Sequence, residues 1–429
     1  MHRTQTLVTA LSLALFSGTA LSQVGGPQAA SQRGPVSNTE SNIPPALDAP
    51  TPASHDGPVV QLALLLDTSN SMDGLIDQAR AELWTVVNRL QGLRHAAGDV
   101  QLHIALYQYG NDRLAPTDGY VQLRAPFTTD LDIISEQLFA LTTDGGNEYC
   151  GWAIGDAVEE LDWIAPDATD EITPALRMIV VAGNEPFEQG SVANAETIAD
   201  AVDAGVHVHT VFCGDKQLGA QGQWERGAQL GDGFYFAIDQ SQLLGFNTQY
   251  DSMILAGNTA LNATYYSFDT SGVEASERQR EVDAANQAAS NEQIVQRAAA
   301  KSTANYDNRT WDITDAFLAD ELEESEIDLE VLPVEWRELG FEELIVKIEE
   351  NAKERERITD EIRELFERRE AEVAEQREAA GIESLGTALS AAIIEQAREL
   401  GFSHTDDDKA EPSDTETQAD AEEPASEGG

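Results

Sequence analysis

The sequence predicts a doubly wound α/β domain, in which helices cover both faces of a mainly parallel sheet, followed by an all-α, partly coiled-coil extension. Over residues 58–250, apolar runs such as VVQLALLLD (59–67) and RMIVVAG (177–183) alternate with helical stretches. Strands that alternate with helices form βαβ crossovers, which make a three-layer domain with a parallel sheet. Beyond about residue 250 the strand-like runs disappear, so the remaining chain is expected to be helical.

The individual elements follow from apolar periodicity. Short, almost continuously apolar runs are typical of strands buried on both faces of a sheet. Strands are expected at 59–67, 103–110, 120–128, 177–183, 206–214 and 234–238. Helices are expected at about 72–90, 131–141, 151–163, 194–204, 249–268 and 274–301.

The C-terminal part contains a long charged helix, expected at 335–377. Apolar residues recur along it at mixed spacings of three and four, but Arg355 and Arg369 interrupt this seam. Residues 334–401 therefore predict a charged helical hairpin or a weak coiled coil, with a solvated single helix as the alternative. The segment 383–400 is expected to pack back on the long helix, after a helical or irregular stretch at 251–333. A homo-oligomer could form through these helices.

Composition and charge restrict the classes of partner. The 429 residues include 77 Asp+Glu against 26 Lys+Arg, a formal net charge of -51. Binding to nucleic acid requires a basic surface that neutralises phosphates, so a nucleic-acid partner is not expected. At 41% hydrophobic residues the chain can bury a core, and its length is enough for two domains plus tails.

The N-terminal segment of the chain predicts an exported protein. Residues 1–22 combine Arg3, a short apolar stretch and Ala20-Leu21-Ser22, the pattern of a cleavable signal segment; an uncleaved anchor is the alternative. Residues 23–57 read as a disordered linker and 402–429 as a disordered acidic tail. No later run is long enough to span a bilayer. The mature protein is expected to be periplasmic or secreted, with no integral membrane span.

A D-x-S-x-S motif follows the first strand. Asp67, Ser69 and Ser71 occupy the turn into the first helix, where open α/β sheets bind their ligands. One carboxylate and two hydroxyls at this spacing can converge as hard oxygen donors, which suit Mg²⁺ or Mn²⁺. The alternative is that Ser69 and Ser71 cap the helix while Asp67 binds a loop amide.

This motif in this strand-to-helix position resembles the von Willebrand factor A domain family, over roughly residues 58–250. The resemblance implies a metal-ion-dependent adhesion site that binds Mg²⁺, with Mn²⁺ or Ca²⁺ as alternatives. It also implies a Thr in a second loop and an Asp after the fourth strand. Trp152 and Gly183 stand at those positions here. Glu148, with Thr142 or Thr143 behind it, and Glu185 are the substitute donors that we expect. If neither glutamate reaches the metal, the domain is metal-free.

Both cysteines are expected at this end of the sheet. Cys150 lies in the second loop and Cys213 ends the strand VHVHTVFCG. In an oxidising compartment they could form a disulfide that ties two loops together. The alternative is a pair of buried free thiols.

These observations favour a binding protein. No nucleophile with a matching base can be assigned, so an enzyme is not expected. The first hypothesis is an extracytoplasmic adhesion module that recognises an acidic group on a protein or surface polymer through a divalent cation. The second is a metal-free scaffold that acts through its helical extension.

Overall fold

The computed structural model describes residues 57–165, 174–238, 245–380 and 385–405. The expected signal segment (1–22), the linker up to residue 56 and the tail from residue 406 lie outside the described residues. The expectation of a disordered tail from residue 402 is wrong for its first residues, because Phe402 is buried and Ser403–His404 form a short strand. Among the residues that the structure describes, no helix combines the length and the apolar composition needed to cross a membrane.

Eight strands form in the described parts of the chain, and six of them build the central sheet. They are β1 (Val59–Asp67), β2 (Leu93–Arg94), β3 (Gln101–Tyr109), β4 (Val121–Thr128), β5 (Ala175–Gly183), β6 (His207–Cys213), β7 (Tyr235–Ile238) and β8 (Ser403–His404). The sheet has the order β4-β3-β1-β5-β6-β7, and β2 pairs separately with β8. Only the β3–β4 pair of the six-stranded sheet is antiparallel.

Twelve α-helices accompany these strands in the described ranges. They are α1 (Asp73–Leu90), α2 (Leu131–Ala140), α3 (Cys150–Glu160), α4 (Asn194–Asp203), α5 (Lys216–Gln221), α6 (Trp224–Leu230), α7 (Asp251–Asn262), α8 (Thr270–Ala289), α9 (Asn291–Lys301), α10 (Ile313–Leu318), α11 (Phe341–Ala380) and α12 (Leu385–Glu399). The expected helix at 274–301 is two helices. Ser290 separates them because its backbone is extended and its hydroxyl caps α9 by accepting from the Gln293 amide.

The sheet separates two hydrophobic cores, as the continuous apolar runs require. Leu62 and Leu66 of β1 point into one core, and Ala63 and Leu65 point into the other, because successive strand side chains face opposite sides. The core under Ala63 and Leu65 is completed by residues of α3, α4 and α6. The doubly wound, three-layer architecture expected from the sequence is confirmed.

The other core continues into the C-terminal helices. Val282 of α8, Ile362 of α11 and Ile393 of α12 belong to the same cluster as Leu62 and Leu66. The helices beyond residue 250 therefore share a hydrophobic core with the sheet domain.

The order of the strands creates a crevice beside β1. From β1 the chain first adds β3 and β4 on one side, and then crosses back to add β5, β6 and β7 on the other. Ligands of open α/β sheets bind at this reversal, beyond the carboxyl ends of the strands. Asp67 at the end of β1 and Gly183 at the end of β5 lie there.

The long helix α11 forms neither of the assemblies that the sequence suggested. It lies along α7, α9 and α10, and Ile362 packs so closely on Gly257 of α7 that a Cβ there would be 2.7 Å from Ile362 Cγ1. Arg355 and Arg369, which interrupt the apolar seam, are buried and ion-paired with acidic residues of the neighbouring segments. The seam thus faces the rest of the chain, with arginines as part of the contact.

The expected pairing of 383–400 with the long helix is also corrected. α12 lies on α1, β7 and β8, and a Cβ at Gly386 would be 3.1 Å from the Thr85 side chain of α1. Helical periodicity gives α12 an apolar face but does not determine its partner. In the folded chain that partner is α1, whose apolar residues belong to the same hydrophobic cluster as those of α12.

Candidate functional site

The D-x-S-x-S turn places its polar atoms together. Asp67 Oδ1 accepts a hydrogen bond from the Ser69 amide at 2.7 Å. The Ser69 and Ser71 hydroxyls are 3.3 Å apart, and Ser71 donates to Asn184 Oδ1 at 3.2 Å. The residue before α1, Met72, is its N-cap and makes no side-chain cap. Of the alternative structural roles, the structure shows the bond from Asp67 to a loop amide.

The second oxygen of Asp67 has no hydrogen-bond partner among the described residues. Asp67 is fully buried, and its Oδ2 makes no hydrogen bond within the described residues. Burial, together with the carboxylates of Glu148 and Glu185, raises the pKa of Asp67 from 3.8 to about 7, against the hydrogen bond from the Ser69 amide, which lowers it. A buried carboxylate oxygen without a donor is costly unless a positive charge compensates it.

Glu148 reaches the same place from the second loop. It is 5% exposed, and Gln189 Nε2 donates to its Oε2 at 3.3 Å. Burial also raises the pKa of Glu148. Gly110, whose φ is +78°, allows the approach, since a Cβ there would lie 2.8 Å from Asp67 Oδ1 and 3.1 Å from Glu148 Cγ.

Backbone hydrogen bonds fix the second loop on the first. The Asp144 amide donates to the Thr68 carbonyl at 3.0 Å, and the Asn70 amide donates to the Gly145 carbonyl at 3.1 Å. The position of Glu148 beside Asp67 thus follows from how these two loops pair.

The other residues expected in the second loop lie elsewhere. The Trp152 ring packs over Gly119, where a Cβ would collide with it. The Thr143 hydroxyl donates to Asp73 Oδ1 at 2.6 Å, and the Thr142 carbonyl accepts from Asn111 Nδ2 at 2.8 Å. Glu148 is therefore the second-loop residue whose carboxylate is coupled to Asp67.

The third loop brings an amide and a more distant carboxylate. Asn184, which the sequence reasoning did not include, lies beside Ser71 through its Oδ1. Glu185 is exposed, although its carbonyl is held by Trp224 Nε1 at 2.7 Å. Gly183 stands where the resemblance expects an Asp. The sequence feature that could have indicated Asn184 is its position directly after β5, the strand that lies next to β1 in the sheet.

The donor set fits a cation held by few charged ligands. In the described residues no group of three or more His, Cys, Asp or Glu side chains is placed to hold a metal ion. The donors at hand are the carboxylates of Asp67 and Glu148 and the hydroxyls of Ser69 and Ser71. Hard oxygen ligands with little total charge suit Mg²⁺, Mn²⁺ or Ca²⁺. The unpartnered Asp67 Oδ2 is the observation that favours such an ion.

The expected disulfide is absent, and Cys150 and Cys213 are buried free thiols. The Cys150 side chain belongs to the core containing α3, whereas Cys213 belongs to the core on the opposite face of the sheet. Tyr109 lies beside Cys150, whose thiol donates to the Tyr109 hydroxyl at 3.5 Å. Both residues do come from this end of the sheet, but their side chains enter different layers.

Comparisons with known proteins identify solved structures only. No family model and no curated protein matches the chain. The chain is similar to the conserved hypothetical protein BatB from Bacteroides thetaiotaomicron, at 17% identity and a TM-score of 0.31, over 42% of this chain and 90% of that one. It is similar to the SpRpn10 VWA domain at 14% identity and a TM-score of 0.30, over 42% of this chain and 87% of that one.

A third similar structure is proximal thread matrix protein 1 from the mussel byssus, solved with a zinc-occupied MIDAS motif. Its identity to the chain is 11% and its TM-score 0.31, over 44% of this chain and 43% of that one. Likenesses with such TM-scores add no argument about this chain. The doubly wound fold of the described residues between 59 and 238 is shown by the order and direction of its strands.

Proposed function

We propose that this chain is a non-enzymatic, extracytoplasmic binding module that recognises a carboxylate of a partner through a divalent cation. Asp67, Ser69 and Ser71 would hold the cation, and Glu148 would supply the second carboxylate in place of the residues missing from the family pattern. The buried, unpartnered Asp67 Oδ2 is the observation that carries this proposal. Glu185 would act from the rim as a more distant charge.

The charge of the rim explains why a cation is needed. Asp73, Asp144, Glu185 and Glu188 lie in or beside the loops around Asp67, and Arg113 is already paired with Asp144 at 2.7 Å. A carboxylate that approached this acidic rim alone would be repelled. A bound divalent cation supplies the positive charge and an open coordination position for an outside carboxylate.

Mg²⁺ is the cation that this proposal names first, with Mn²⁺ and Ca²⁺ as alternatives. Mg²⁺ is commonly bound by one or two carboxylates while it keeps several waters, which suits a site with Asp67 and Glu148 as its charged donors. The partner's carboxylate could belong to a protein or to an acidic surface polymer. Both present the same chemical group.

A metal titration tests the proposal. Calorimetry with MgCl₂, MnCl₂ or CaCl₂, followed by thermal melting, should show binding and a raised melting temperature, since a ligand of the folded state stabilises it. Asp67→Ala should abolish both effects. Asp200→Asn, which changes an exposed carboxylate on α4 far along the chain from the rim, is the matched control and should retain them.

The competing function is a metal-free scaffold that acts through its helices. The observations that favour it are Gly183 and Trp152 at the positions of expected ligands, and the helices that continue the core of the sheet domain. A folded wild-type protein that binds none of the three cations would overturn the metal-dependent proposal and support the scaffold.

A further inference from the structure

A second group of polar side chains lies far from the rim, where α7, α8 and α9 meet. We name it the Lys301 cluster: Asn262 at the end of α7, Asp283 in α8 and Lys301 at the end of α9. The Lys301 side chain is fully buried and that of Asp283 is 12% exposed. None of these residues takes part in the proposed cation site.

The cluster places an amine against a carboxamide. Lys301 Nζ contacts Asn262 Oδ1. Asp283 bridges the two nitrogens with a single oxygen, since its Oδ2 accepts from Asn262 Nδ2 at 2.7 Å and from Lys301 Nζ at 3.0 Å. Three helices thus hold together the Lys301 amine, the Asn262 carboxamide and the Asp283 carboxylate, which can accept a proton.

The surroundings exclude water from the amine. The Tyr265 and Tyr306 rings stand 5.9 Å from Lys301 Nζ, measured to their centroids. Burial lowers the pKa of Lys301 to about 8, although Asp283 opposes this by favouring the charged amine. Near that pH a substantial fraction of the amine is unprotonated and therefore nucleophilic.

We propose that Lys301 and Asn262 react to form an intramolecular amide (isopeptide) bond, with Asp283 as the proton carrier. Lys301 Nζ attacks Asn262 Cγ, a new C–N bond forms, and the bond from Cγ to Nδ2 breaks. Positioning of this kind replaces a slow bimolecular reaction with an intramolecular one. Ammonia leaves, and no oxidant, reductant or second substrate is consumed.

The protons balance through Asp283. The first proton of the Lys301 ammonium is lost to solvent near pH 8, which leaves the neutral amine that attacks. A second passes from the attacking nitrogen, by way of the Asp283 carboxylate, to the departing nitrogen, which leaves as neutral ammonia. The third stays on the new amide nitrogen.

Arg297 compensates the buried carboxylates before and after the reaction. It pairs with Asp132 at 2.6 Å and with Asp283 at 2.5 Å. After the reaction Lys301 is uncharged, and both carboxylates keep Arg297 as their ion-pair partner, so neither is left without a cation beside it.

Mass spectrometry of the full chain tests the proposal. Purified protein, kept at about pH 8 for several days because the amine must be unprotonated, is denatured and digested with trypsin. The expected product is a branched peptide that joins residue 262 to residue 301, lighter than its two parts by one molecule of ammonia. Trypsin should fail to cleave after Lys301.

Two variants define the chemistry. Lys301→Arg retains a buried cation but cannot form this bond, so the branched peptide should disappear. Asn258→Ser is the matched control, because Asn258 also donates to Asp283, at 3.2 Å, and the branched peptide should remain. Folded wild-type protein with complete cleavage after Lys301 and no branched peptide would overturn the proposal. Formation of the bond in folded Asp283→Asn would overturn the role given to Asp283.

Discussion

A Cβ atom at Gly183 would lie 3.2 Å from Asp67 Oδ2, the oxygen that has no hydrogen-bond partner in the part of the chain that the structure describes. The same Cβ would be 2.7 Å from the Tyr109 hydroxyl and 3.0 Å from the Trp224 ring. The end of β5 is therefore packed closely around the end of β1. An aspartate at position 183 would have to displace these neighbours, and the buried carboxylate found near Asp67 is instead that of Glu148.

Gly183→Ala is expected to destabilise the fold by about 1–3 kcal/mol, the usual cost of inserting an extra methyl group into a well-packed core. The Tyr109 hydroxyl cannot simply move away, because it donates to the Ala182 carbonyl at 2.8 Å. Urea unfolding measures the loss. Gly340→Ala is the control, since a Cβ there meets nothing within 4 Å, and equal effects of the two changes would contradict this explanation.

Asp67→Asn is expected to stabilise the metal-free protein at high pH. Burial raises the pKa of Asp67 from 3.8 to about 7, so the folded state holds this proton more tightly than the unfolded state. The resulting stability is complete below about pH 4 and is lost as the pH rises through 7. At about 1.4 kcal/mol per pKa unit, the charged form costs up to about 4 kcal/mol above that pH.

Thermal melting in chelator measures this pH dependence. At about pH 8 the Asp67→Asn variant should melt higher than wild type, and at about pH 4 the difference should nearly vanish, because both forms of residue 67 are then neutral. The Asp200→Asn control should follow wild type throughout. A difference in melting temperature between Asp67→Asn and wild type that does not change with pH would contradict a buried, protonating carboxyl.

The sequence was sufficient for the central part of this site and insufficient for its periphery. Asp67, Ser69 and Ser71 lie within five positions of one turn, so their proximity follows from local geometry. The contact of Ser71 with Asn184 spans 113 positions and depends on the adjacency of β1 and β5. Apolar periodicity gave the strands of the sheet, but it could not determine which ligand of the family would be replaced by which residue.

The helical extension shows the same limit. Arg355 looked like an interruption of an apolar seam because its acidic partner, Asp312, lies 43 positions earlier. Arg369 pairs with Asp251, which is 118 positions away. A charge that is compensated only by the tertiary structure cannot be distinguished from a solvated one by sequence periodicity.

Glu148→Gln is expected to weaken Mg²⁺ or Mn²⁺ binding about 10- to 100-fold, the range for removing a supporting group of a metal site. Glu185→Gln should weaken it less than about fivefold, since an exposed charge contributes roughly 0–1 kcal/mol. Calorimetry on the two variants separates the two glutamates, which the sequence alone ranked equally. A larger loss of metal affinity with Glu185→Gln than with Glu148→Gln would show that the second carboxylate of the site belongs to the third loop.

Adjacent arginines of α11 should differ widely in their contribution to stability. Arg369 is fully buried and pairs with Asp251 at 3.0 Å and with Glu292 at 2.5 Å, so Arg369→Met leaves buried carboxylates uncompensated and should cost about 3–5 kcal/mol. Arg368 is 57% exposed and pairs with Glu364. Arg368→Met should cost about 0.5 kcal/mol or less. Similar costs in urea unfolding would contradict the docking of α11 through Arg369.

The two cysteines should behave as protected thiols. Burial raises the pKa of both Cys150 and Cys213, which lowers the thiolate fraction that reacts with alkylating agents. Native protein should therefore react slowly with a maleimide, and protein denatured without reductant should take up two equivalents, one for each free thiol. Cys213→Ser should reduce the denatured uptake to one. Denatured, unreduced wild-type protein that takes up none would show that the side chains meet in a disulfide across the sheet, against the separation of the two cores.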